Sequence, residues 1–89
     1  QLSYEQKEEE LVYLEKPQEV TFSLVKDKHN DMKVNSGCIT ASSKSEAILV
    51  TDEELKPFDN LVIMIGGKRF CKVIKKETEG WRIRFTALL

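Results

Sequence analysis

"LVIMIGGKRFCKVIKK", residues 61–76, decides the fold class. An apolar run of strand length ends at Gly66-Gly67, and a second run of alternating character begins directly after it. Glycine accepts the positive φ that two-residue hairpin turns demand, so the pair joins two antiparallel strands. The first strand, "LVIMI", is apolar on both faces and is expected to be covered on both.

Working outward, the same period of two recurs. Downstream, the turn "ETEG" (77–80) leads into "WRIRFTALL" (81–89), where Trp81, Ile83, Phe85 and Ala87 alternate with Arg82, Arg84 and Thr86. The in-phase position of Trp81 assigns it to the core rather than to a partner surface. Upstream, "DEELKPFDN" (52–60) has turn chemistry, a proline and room for one turn of helix. "AILVT" (47–51) is a short β-branched strand and "MKVNSGCIT" (32–40) another, with Gly37 marking a bulge or a close backbone approach. "VTFSLV" (20–25) places Val20, Phe22 and Leu24 on one face and Thr21 and Ser23 on the other. Six short strands joined by turns predict an all-β, six-stranded antiparallel β-barrel. A barrel this small is filled by its own side chains, which places any ligand on the rim or the outer face.

The beginning of the chain reads differently. Ser3 followed by Gln6 has capping-box spacing, and "KEEELVYLEK" holds good helix formers without Gly or Pro, so a short N-terminal helix is expected over about 3–15. "ELVYLEK" also suits a strand. Pro17 ends either element by removing a donor and by forcing its predecessor out of the helical region. Residues 1–16 are therefore read as helix or linker, and 17–89 as the barrel domain. Packing on the barrel, pairing with a second copy and connection to an upstream domain are the three roles open to the helix, which is short for stability alone.

The 89 residues carry 14 Lys and Arg against 15 Asp and Glu, a net charge of −1 that provides no broad attraction for nucleic acid or anionic lipid. No apolar run approaches the ~18 residues of a membrane-spanning helix. The acidic start "QLSYEQKEEE" does not resemble a signal peptide, and a first residue other than Met suits a domain cut from a longer polypeptide; a cytoplasmic setting is expected. Cys38 and Cys71 lack metal-ligand spacing and are read as small buried thiols. His29, the only histidine, falls in the polar run "KDKHND" and is read as a loop residue. No metal, no cofactor and no catalytic constellation is expected.

From Glu19 to Leu88 the order of elements resembles the PilZ family of bacterial regulatory domains. The corresponding stretches are "CITASSKSEAIL", "TDEELKPFDNLVIMI", "KRFCKVIKK" and "WRIRFTAL". The family carries Asp/Asn-x-Ser-x-x-Gly-Ala-x-Leu at the first of these, and alignment on Ala47 and Leu49 puts Ala41, Ser43 and Glu46 at the three signature positions. Only the serine matches. The resemblance also implies an Arg-x-x-x-Arg motif before the first strand, which in family members that bind cyclic di-GMP holds phosphate and stacks on guanine. Here "LVYLEKPQE" contains no arginine, and Lys16 is its one cation.

The resemblance thus implies a noncatalytic regulatory or protein-interaction module of a bacterial signalling protein. The alternative is a sensor of cyclic di-GMP or another nucleotide through noncanonical residues, with Lys16, Ser43 and Lys44 as ligand-binding candidates. The outer face of the last strands, with Lys72, Arg82 and Arg84, is the candidate surface for an acidic protein partner. Alternating charge on the wet side of a strand serves solvation equally well.

Overall fold

The computed structural model describes residues 10–25 and 33–86 of the chain. Six strands follow one another: β1 (Val12–Leu24), β2 (Asn35–Ser42), β3 (Glu46–Val50), β4 (Asn60–Met64), β5 (Lys68–Lys76) and β6 (Trp81–Phe85). All pairings are antiparallel, and they close a barrel in the order β1-β2-β3-β6-β5-β4. Two three-stranded meanders, β1–β3 and β4–β6, are therefore joined along two seams. One is the pairing of β3 with β6, and the other is the pairing of the end of β1 with β4.

Alternation along each strand sends one set of side chains inward. Val20, Phe22, Ile39, Ala47, Leu49, Leu61, Ile63, Cys71, Val73, Trp81 and Ile83 form a continuous buried cluster. Leu55, from the loop between β3 and β4, adds itself to that cluster at 2% exposure and so closes one end of the barrel. The Arg69 guanidinium lies 4.1 Å from the Phe85 ring centroid, and the Lys76 ammonium 4.7 Å from that of Trp81.

Both glycines of the turn take the positive φ expected of them, 70° at Gly66 and 129° at Gly67, but the connection is three residues long rather than two: Met64 pairs with Lys68, which leaves Ile65, Gly66 and Gly67 between the strands. Gly37 marks a close approach: a Cβ there would stand 2.9 Å from both Leu49 Cδ1 and the Val50 carbonyl oxygen. The register shift in β2 comes further on, between Ile39 and Ala41.

Four expectations need correction. The helix over 3–15 is not formed where it is described: Val12, Tyr13, Leu14 and Glu15 belong to β1, and residues 1–9 lie outside the described residues. Val12 and Tyr13 pair with Ser42 and Ala41, so cross-strand pairing overrides the helix propensity of the segment. Pro17 does not end the element either. It falls where the β1–β2 register shifts between Tyr13 and Gln18, and residues in that gap have no ladder partner, so the missing N–H costs nothing. β4 is covered on one face only: Leu61 and Ile63 are fully buried, whereas Val62 is half-buried and Met64 exposed. The 52–60 stretch forms a turn without helix.

Candidate functional site

The stretch between β2 and β3 is a tight hairpin. The Ser43 N–H donates to the Glu46 carbonyl at 2.8 Å, and the Glu46 N–H donates to the Ser43 hydroxyl oxygen at 3.1 Å. Lys44, exposed, and Ser45, partly buried, form the tip. The Phe85 N–H donates to the Ser45 carbonyl at 2.9 Å, which ties the tip to the end of β6. The serine shared with the PilZ signature thus has local work as a turn-closing acceptor.

Glu46 starts β3. Because Ala47 and Leu49 point into the core, alternation puts Glu46 and Ile48 on the outer face. Register places Arg84 opposite Glu46 and Arg82 opposite Ile48, so two guanidiniums flank one carboxylate. The Arg82 Nε donates to Glu46 Oε1 at 2.7 Å, and the Arg84 Nε donates to Oε2 at 2.9 Å, with Arg84 Nη2 donating to that same oxygen. The Arg82 Nη1 also donates to Glu77 Oε2 at 3.2 Å. The Glu46 side chain is 1% exposed and that of Arg82 7%, against 39% for Arg84. A buried carboxylate is tolerable only when its oxygens are occupied by charged donors, and here both are.

Leu11 and Tyr13, which the sequence assigned to a helix, line a concavity of about 340 Å³ together with Ile48, Glu77, Glu79 and Arg82. Ile48 is buried at 4% although it lies outside the barrel core.

The sequence candidates divide. Lys72 is opposite Arg84 on one side and Asn60 on the other, so Lys72, Arg84 and Glu46 form one row across β5, β6 and β3. Lys72, Arg82 and Arg84 do share an outer face, but both arginines are bound to Glu46. Ser43 and Lys44 sit at the β2–β3 turn, and Lys16 is exposed in the part of β1 that has no partner on β2. His29 lies outside the described residues. Among the described residues no group of His, Cys, Asp and Glu is placed to hold a metal, and no helix is long and apolar enough to cross a membrane.

Both cysteines are free thiols. Burial pushes the Cys71 thiol from 9.0 up to about 12, against a smaller opposing pull from Arg69. Cys38 is half-buried and borders a larger groove, about 620 Å³, across β1–β3 on the far side from the ion cluster. Glu19, Thr21, Ser36, Asp52 and Met64 also border that groove, and no Lys or Arg does, so it does not suit an anion. The site with defined chemistry is the smaller one, around Glu46.

Glu46 is what sequence reasoning missed. Its charge was visible, but its partners come from the other meander and no local pattern announces them. No family model, characterised protein or solved structure matches the chain.

Proposed function

We propose that the chain is a noncatalytic regulatory or protein-interaction module, a degenerate PilZ-like domain of a bacterial signalling protein, working in the cytoplasm. The closed six-stranded antiparallel barrel and the polar β2–β3 hairpin are consistent with that resemblance. The observation that carries the reading is the fate of the arginines. The chain has three, at positions 69, 82 and 84. Arg82 and Arg84 hold the chain's own Glu46, and Arg69 lies over Phe85. A dianionic nucleotide at this face would have to displace a carboxylate already satisfied by three hydrogen bonds, in a concavity whose other charged members are Glu77 and Glu79. Both terms oppose binding.

Titration calorimetry with cyclic di-GMP tests this reading, and the expected result is no measurable heat of binding. Micromolar or tighter binding that disappears in Ser43→Ala and Lys16→Ala variants would favour the sensor alternative and overturn it.

A further inference from the structure

The loop that closes the barrel between β3 and β4 ends in Lys56-Pro57-Phe58-Asp59, a turn closed by the Asp59 N–H donating to the Lys56 carbonyl at 3.1 Å. Pro57 occupies the second position, for which its fixed φ is suited, and Phe58 occupies the third with φ of +73°. That position ordinarily takes Gly or Asn. A bulky aromatic there is a backbone outlier, and it is the one non-glycine residue with positive φ among the described residues.

The conformation is held from several sides. The Phe58 N–H donates to the Val73 carbonyl at 2.7 Å, and the Val73 N–H donates to the Asp59 carbonyl at 2.8 Å. The Lys56 N–H donates to Asp59 Oδ2 at 2.9 Å. Burial of the ring does not account for this arrangement: Phe58 is 70% exposed, the highest value among the described large hydrophobic residues, while its neighbour Leu55 is 2% exposed. Further apolar exposure lies at the same end of the barrel. Val25, whose N–H donates to the Asn60 carbonyl at 2.9 Å, is 43% exposed, and Val34, beside the start of β2, is 68% exposed.

We infer that Phe58 is an anchor by which this end of the barrel docks into an apolar pocket of a different protein. The loop chooses the occupant by charge. Asp52, Glu53, Glu54 and Asp59 accompany one cation of the loop, Lys56, and exposed Lys33 beside Val34, so a second copy docking by this same end would bring mainly acid against acid, and an anionic membrane is disfavoured likewise. An apolar pocket with a Lys- and Arg-rich rim is the complementary surface. A rigid aromatic held ready in its bound geometry loses little freedom on docking, which is what a costly but tightly held turn provides. This inference rests on the interaction-module reading and places its surface away from the Glu46 face. Cyclic di-GMP titration therefore tests one face and Phe58 variants the other.

Two measurements test the anchor. First, thermal unfolding of the 89-residue chain is compared for wild type, Phe58→Gly and Phe58→Asn. Both replacements suit positive φ, so Tm is expected to hold or to rise by roughly 2 to 5 °C. A fall in both variants would mean that Phe58 serves the fold, and would overturn the inference. Second, a photo-crosslinking phenylalanine analogue is placed at 58 in cells, with one at exposed Phe70 as the control, and the adduct's partner is identified and purified. The expected outcome is a partner whose contact surface is basic around an apolar pocket. Its affinity, measured directly, should fall roughly 30-fold for Phe58→Gly, weaken with added salt, and be unaffected by Phe70→Ala. No discrete adduct specific to position 58, a self-adduct, or equal affinity for Phe58→Gly and wild type would each refute it.

Discussion

Replacing Glu46 by alanine should be among the most damaging single changes in this barrel, and its size follows from the geometry. The side chain is 1% exposed and accepts hydrogen bonds from both Arg82 and Arg84. Removing it strips the partner from the Nε of Arg82, a side chain 7% exposed whose Nη1 donates to Glu77 at 3.2 Å, itself 27% exposed. Breaking a buried pair from one side costs about 3–5 kcal/mol, because the partner's charge stays behind. Arg84, at 39% exposure, can turn into water, which moves the expectation to the lower end, about 3 kcal/mol. A domain of this size has a total stability of roughly 4 to 13 kcal/mol, so Tm should fall by more than about 10 °C. Urea unfolding followed by circular dichroism measures the loss. Glu46→Gln should be milder, since the amide oxygen still accepts from one guanidinium. The distinctive outcome is rescue. If Glu46 is a built-in anion, pyrophosphate should stabilise Glu46→Ala by refilling the arginine pair and leave wild type unchanged at equal ionic strength. A loss below about 1 kcal/mol, or equal stabilisation of both proteins by pyrophosphate, would refute the reasoning.

Two further outcomes follow from the packing. Gly37→Ala should destabilise by about 1–3 kcal/mol in the same urea assay, because the new methyl meets Leu49 Cδ1 and the backbone oxygen of Val50 at 2.9 Å and the barrel wall must move. Cys71, its thiol held near 12 by burial, should resist alkylation in the folded protein at pH 8 while half-buried Cys38 reacts. Between its ordinary value of 9.0 and about 12 the unfolded chain releases a proton that the folded chain keeps. Stability should therefore fall with rising pH across that window, at up to about 1.4 kcal/mol per pH unit, and Cys71→Ser should remove that slope.

The parts of this fold legible from sequence are those determined by neighbours in sequence. Gly66-Gly67 specified its hairpin because positive φ is a local demand, and β6 specified its inward face because Trp81, Ile83 and Phe85 alternate without interruption. The start of β1 was ambiguous for the opposite reason. "KEEELVYLEK" has helix-forming composition although "ELVYLEK" also suits a strand, and the choice is made by pairing of Val12 and Tyr13 with Ser42 and Ala41 of β2, residues distant in sequence. Pro17 misled because its usual meaning presumes a ladder that needs its N–H, and the register gap after Tyr13 supplies no such ladder.

The candidate site shows the same division at the level of charge. Arg82 and Arg84, two apart on one strand face, look like a basic patch so long as β6 is considered alone. The sign of a surface depends on which strand lies beside it, and β3 brings Glu46 into register with Arg84. The carboxylate at the position of the PilZ signature glycine looks, in the sequence, like a loss of ligand chemistry. In the barrel it sits between two guanidiniums, held by Arg82 on one oxygen and Arg84 on the other. Removing Glu46 alone therefore does not simply free two arginines for a ligand: the vacated guanidiniums first cost the fold its stability, and only an anion strong enough to replace the carboxylate would return it.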